Sequence, residues 1–277
     1  MARSFSTAEF EAWMIAPERR AALVIAHPAH EIRILRWLSL VRPHVYILTQ
    51  GSRSGADNTR RAASERLIEA HGASVAKAWA GAWDRDLYDM LLDGRYHDLL
   101  SWVDQLTADF IAREVDLVVA DSWQRYNVAH DLAYVITALA AQRAREALGR
   151  EVVLVTYPVV PLVMTSEASH APLLAQFKLS SDAVAEKRSA MSQIPDIALE
   201  ASAIDEAEGE EAHAAETFNA APSLTTILNT PRETPAYEVF GEERVKAGIY
   251  TDVVRWPHVQ RACEALIDAG AIATKAA

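Results

Sequence analysis

Three histidines stand where apolar runs give way to helix-like sequence. His27 and His30 flank Pro28 in "AALVIAHPAHEIRIL" (21–35), and His130 lies in "DSWQRYNVAHDLAY" (121–134). Imidazole nitrogens bind divalent metals, and three of them suit a catalytic zinc with one open position. Proline is tolerated in the first turn of a helix, where its missing N–H costs nothing. If a helix starts at Ala29, His27 and His30 sit about one turn apart and their rings can converge. The same residues also read as turn chemistry. Either histidine can cap the turn, and Asn127 can N-cap a helix whose first-turn donors His130 and Asp131 help to satisfy.

Other reactive groups cluster around these histidines. Glu31, Asp121, Tyr126 and Asp131 are the residues that could serve proton transfer. Amide cleavage requires a proton for the departing amine, whereas an ester leaves without that demand. Glu31 and Asp131 read equally as first-turn acids favoured by the helix dipole. In "TQGSRSGADNTRR" (49–61), Arg53, Arg60 and Arg61 could orient a carboxylate or phosphate, since guanidinium forks match such groups. The alternative is a loop of solvated arginines, and it lacks the lysine of a P-loop. No Ser–His–Asp order surrounds Ser52. Trp123 lies near the proposed mouth, while Trp79, Trp83 and Trp102 read as core or pocket wall. His258 reads as a surface histidine.

Positioning these groups requires a sheet edge. "AALVIA" (21–26), "VYILT" (45–49), "ASVAKAW" (73–79), "DLVVA" (116–120) and "EVVLVTY" (151–157) have strand length and nearly continuous apolar character. That is the pattern of parallel strands covered on both faces. Between them, 60–71, 97–114 and 129–148 carry apolar residues at helical spacing. Alternation of strand and helix predicts an α/β fold with a doubly wound, mostly parallel sheet, Rossmann-like in type. Such sheets bind ligands at the carboxyl ends of their strands, where His27 and the 121–130 segment fall. Residues 1–277 read as a single domain. Within it, an acidic stretch at about 189–230, devoid of lysine and arginine from Pro195 to Phe218, reads as a solvated helix, a mobile insertion or a lid. A C-terminal arm follows at about 231–277.

The whole chain bounds the function. Its 277 residues are 51% apolar and 23% charged, enough for a sizeable core. A formal charge of −11 argues against a broad nucleic-acid or anionic-membrane surface. The single cysteine, Cys263, permits no intrachain disulfide, so a cytoplasmic location is expected. The first twenty residues are broken by charges and show no signal peptide. No run reaches the roughly 20 apolar residues of a membrane span.

These motifs, in this order, resemble the PIG-L/LmbE family of zinc-dependent N-deacetylases, which act on acetylated amino sugars. "IAHPAHE" stands where the family has A-H-P-D-D-E, and "LTQGSRSG" (48–55) resembles its T-x-G-x-x-G segment. "TRRAASERLIEAHGA" (59–73) resembles its following helix, and "YNVAHDLAY" (126–134) its H-P-D-H segment. "YEVFGEERVKAGIY" (237–250) is similar to a C-terminal arm of some relatives. The resemblance implies an LmbE-like fold and one zinc per chain, with His27 and His130 as ligands. His30 occupies the place of an aspartate ligand. Ala29 stands where the family keeps its general base, and Asn127 where many members have a histidine that stabilises the oxyanion.

The implied function is a metal-dependent hydrolase acting through a zinc-bound water on an acylated amino sugar or related small, carbohydrate-like metabolite. A neutral imidazole in place of a carboxylate leaves more charge on the metal, and in a three-histidine site the bound water titrates at about 7. Such a site depends less on a separate base, and esterase-like hydrolysis is a variant. The competing reading is a metal- or sugar-binding protein on the same fold that has lost turnover. A dinucleotide site is disfavoured, because no G-x-G-x-x-G follows the first strand.

Overall fold

A computed structural model of the chain describes residues 5–51, 59–77, 79, 82–161, 171–229 and 233–276. The chain begins with helix α1 (Thr7–Met14) and strand β1 (Ala21–Ile25), followed by a short 3-10 helix (His30–Ile34) that runs into α2 (Leu35–Val41). Next come β2 (His44–Ile47), α3 (Thr59–Ala70), β3 (Ser74–Val75), α4 (Asp84–Leu92) and α5 (Tyr96–Ala112). Strand β4 (Leu117–Asp121), α6 (Val128–Leu148) and β5 (Val153–Tyr157) complete the first half. The rest is β6 (Leu173–Lys178), α7 (Ser181–Ser192), α8 (Pro195–Glu208), β7 (Ala215–Ala220), α9 (Leu224–Asn229), α10 (Ala236–Lys246) and α11 (Trp256–Ala276).

The described strands form one sheet in the order β3-β2-β1-β4-β5-β7-β6. Strands β1 to β5 pair in parallel, as the uniform apolar runs predict, while β7 pairs antiparallel with both β5 and β6. This is an α/β fold with a mostly parallel sheet and helices on both faces. Successive side chains of a strand point to opposite faces. Ala22 and Val24 of β1 accordingly join the core under α5, α6 and α11, and Leu23 and Ile25 join the core under α1 and α2. Helix α6 is fixed at both ends. Asn127 accepts the Ala129 N–H at 2.7 Å, and Gly149 closes the C-terminus in the left-handed conformation (φ 63°), open to glycine at little cost.

Two segments differ from the sequence expectation. The run 73–79 yields only the two-residue β3 at a sheet edge, paired with β2 alone. The acidic stretch 189–230 supplies α8 and also β7, a strand inside the sheet. Its Glu216 is buried, and the carboxylate accepts the Arg36 and Trp37 amides at 2.8 and 2.9 Å. An acid that reads as solvated thus caps the first turn of α2. Among the described residues, no helix is long and apolar enough to cross a membrane.

Candidate metal centre

The sheet order creates the site. From β1 the chain winds outward through β2 and β3, then returns to place β4 on the other flank of β1. The crevice at such a reversal lies beyond the carboxyl ends of the two strands. His27 follows β1 by two residues, and His130 is the third residue of α6, just after β4. Between them Ala29 adopts a left-handed backbone (φ 77°), and the segment after it is a 3-10 turn rather than the expected α-helical one. That tight turn brings His30 back over His27.

The three rings meet. Their centroids lie 5.1 Å (His27–His30), 4.8 Å (His27–His130) and 4.6 Å (His30–His130) apart, all edge to face. One nitrogen from each lies within 4.8 Å of the others, and all three residues are buried. Two carboxylates set the tautomers. An ionised carboxylate only accepts, so the His27 Nε2–H donates to Asp84 Oδ1 (2.8 Å) and the His30 Nδ1–H to Asp121 Oδ2 (2.7 Å). The other ring nitrogens, His27 Nδ1 and His30 Nε2, point away from these carboxylates, and His27 Nδ1 shares a hydrogen bond with His130 Nε2 at 3.0 Å.

Burial pushes His30 and His130 well below the ordinary histidine range; His27 lowers His30 further, and His30 and His27 lower His130. Both are therefore neutral at pH 7, the form that metals bind. Burial alone would raise Asp84, yet His27, its hydrogen bond and Thr49 outweigh it and hold that carboxyl below the usual range. Burial raises Asp121, which accepts the Ala26 amide and the Tyr157 hydroxyl at 2.8 and 2.9 Å. His130 Nδ1 is buried with no hydrogen-bond partner. Three buried imidazoles turned together, with His27 and His30 braced by buried carboxylates, fit a divalent metal, and the His27/His30/His130 group could hold one.

The group opens on a cavity of about 450 Å³, within the range of ordinary small-molecule sites. Among the residues expected to act there, Tyr126, Asn127 and Arg60 line it. Arg60 is steadied by the Pro28 carbonyl (3.0 Å), and Asn127 spends its side-chain oxygen on the α6 cap. The others are placed elsewhere. Glu31 is fully buried beneath the turn and accepts the Ser64 hydroxyl at 2.6 Å. Asp121 stands behind His30. Asp131 accepts the Gln124 and Arg125 amides and shapes the 124–131 loop. Arg61 is bound to Glu65 and the Trp79 carbonyl. Trp123 packs edge-on to Tyr134 and Trp256. Each of these five serves hydrogen bonding or packing behind the cavity wall. Arg53 lies outside the described residues.

Several lining residues escape sequence reasoning. Asp84 sits in "AWDRDLYD", where it reads as one acid among three. Its only signal is its place at the first turn after a strand-like run. The far wall carries Tyr88, Tyr237, Phe240, Arg244 and Tyr250. In α10, Tyr237, Phe240, Gly241 and Arg244 fall at the three- and four-residue spacing of one helical face.

No family model and no curated protein matches the chain. Among solved structures, the fold is similar to a triple mutant of a deacetylase of the teicoplanin biosynthetic pathway. The TM-score is 0.48 at 13% identity, over 72% of this chain and 96% of that one. It is also similar to the 4-carboxy-2-hydroxymuconate hydratase of Pseudomonas putida (TM-score 0.47, 16% identity, 78% and 98% covered). A third is the conserved protein TT1542 of Thermus thermophilus (TM-score 0.48, 14% identity, 74% and 95% covered).

Proposed function

We propose that the chain is a metal-dependent hydrolase, with His27, His30 and His130 as ligands to zinc, acting on an acylated amino sugar or a related small metabolite. The observation that carries this reading is the convergence of three buried imidazoles at the floor of a ligand-sized cavity. The sequence resemblance to PIG-L/LmbE deacetylases accords with it. When bound, the metal supplies Lewis-acid polarisation of a carbonyl and a more acidic water. The chain's own part is positional. Asp84 and Asp121 orient His27 and His30, Arg60 offers a fixed cation, and Tyr126 offers a phenol to the leaving side.

Ala29 presents no carboxylate, so Asp84 is the acid that both touches a ligand histidine and lines the cavity. The missing carboxylate also favours a second reading, a metal- or sugar-binding protein on the same fold that has lost turnover. Metal content by elemental mass spectrometry tests the first step. Protein purified without chelator or histidine tag is expected to carry near one divalent metal per chain, lost in His130→Ala. A chain that takes up no metal even when zinc is supplied ends the hydrolase reading and leaves a fold kept for binding alone. Release of amine from acetylated amino sugars then separates hydrolase from binder.

A further inference from the structure

The wall opposite the histidines has a chemistry of its own. Tyr237, Phe240, Gly241 and Arg244 form one face of α10, and all four line the cavity. The strap after α10 closes against the same helix. A Cβ on Gly241 would meet Val253 Cγ1 at 2.8 Å, so only glycine lets strap and helix lie this close. Two ring pairs join this wall to the core, Tyr126–Phe240 (centroids 5.3 Å) and Tyr88–Tyr250 (6.0 Å).

The cations on this wall are unequally used. Arg255 takes both Glu238 (3.2 Å) and Glu242 (3.1 Å). Arg244, exposed at the cavity mouth, forms no ion pair among the described residues. None of the acids in the lining is within ion-pair distance of it: Asp84 is bound to His27 (2.8 Å), Glu200 to Arg33 (2.9 Å), and Asp252, exposed, makes no ion pair among the described residues. An unpaired guanidinium beside aromatic faces is a receptor for an anionic oxygen group carried on a ring.

We infer that the substrate of this site is a ring-bearing small molecule with a carboxylate or phosphate, its ring held between the two aromatic pairs and its anion at Arg244. This rests on the hydrolase reading for the word substrate, but its test does not.

The experiment is an NMR titration of the full chain, with its metal content as purified, against benzoate, phenyl phosphate and benzyl alcohol. At least one anion is expected to bind about tenfold or more tightly than the alcohol, the scale of one charge-assisted hydrogen bond. The tighter of the two identifies the anion. Arg244→Gln should erase the preference with an unchanged Tm, Arg244→Lys should keep part of it, and Phe240→Ala should weaken all three probes. Equal binding of the three probes, no binding, or a preference that survives Arg244→Gln would overturn the inference. The last outcome would place the anion on the metal or on Arg60. Arg244-dependent binding by a chain that holds no metal would sink the hydrolase reading and leave this one standing.

Discussion

Asp84 Oδ1 lies 2.8 Å from His27 Nε2, and the two residues are 57 positions apart in the chain. The carboxylate comes from the first residue of α4 and the imidazole from the turn after β1. Thr49, at the end of the segment following β2, donates to the same oxygen at 2.9 Å. The segments after β1 and β2 and the start of α4 are thereby tied together at one carboxylate oxygen.

Replacing that brace should weaken the metal without unfolding the chain. Asp84→Asn keeps the shape but removes the charge that holds the His27 tautomer. Metal affinity, read by competition with a chelating dye, is expected to fall about ten- to hundredfold. Wild-type affinity in this variant would mean that Asp84 has no part in the site.

Asp121 presents a different balance, because it is fully buried and serves three donors at once. Asp121→Leu should cost roughly 3–5 kcal/mol in urea denaturation, since it strands the Ala26 amide, the Tyr157 hydroxyl and the His30 N–H. Tyr157→Phe removes a single one of these bonds and should cost about 1 kcal/mol. Similar losses in the two variants would contradict the account of Asp121 as the shared anchor.

Lys187 gives a pH dependence remote from the histidines. Its ammonium is buried, donates to the Arg33 carbonyl at 2.6 Å and lies 3.8 Å from Glu216. Burial pushes its pKa down to about 8 from the ordinary 10.5. Between those values the unfolded chain binds more protons than the folded one, so stability rises with pH. Below 8 the cost of the buried charge is fully present, and above 10.5 it is gone. Relative to Lys187→Met, wild type should gain stability across that window. A pH-independent difference between the two would refute the assignment.

Ala29 carries a testable strain and a testable gap. A non-glycine residue at φ 77° is disfavoured by roughly 1 kcal/mol, so Ala29→Gly should raise stability by about that amount. Ala29→Asp returns a carboxylate to the turn, and aspartate tolerates this backbone better than most residues. Under the hydrolase reading, amine release from acetylated amino sugars should increase in that variant. Failure to do so on any such substrate would count against amide hydrolysis and leave the ester and binding readings.

Much of the positioning frame was legible because it is local. "AALVI" and "LVVA" are continuous apolar runs of strand length, the pattern of parallel strands covered on both faces. Residues 129–148 match α6 because helical periodicity and the Asn127 and Gly149 caps agree. The antiparallel β7 was hidden, since "AETFNA" is short, weakly alternating and embedded in acid-rich sequence. Glu216 shows why composition misleads there. A carboxylate can be buried when backbone amides and a lysine await it, and those partners come from α2 and α7.

The sequence by itself determined the parallel α/β frame and the delivery of His27, His30 and His130 to strand ends, because periodicity, proline and cap residues act over a few positions. Only the tertiary structure decided which groups face those histidines. Glu31, Asp121 and Asp131 lie close in sequence yet turn into the protein, while Asp84, Phe240 and Arg244 arrive from distant segments to face the cavity. The physical reason is that a side chain's direction follows from local backbone geometry, whereas its neighbours follow from how the sheet reverses and the arm folds back.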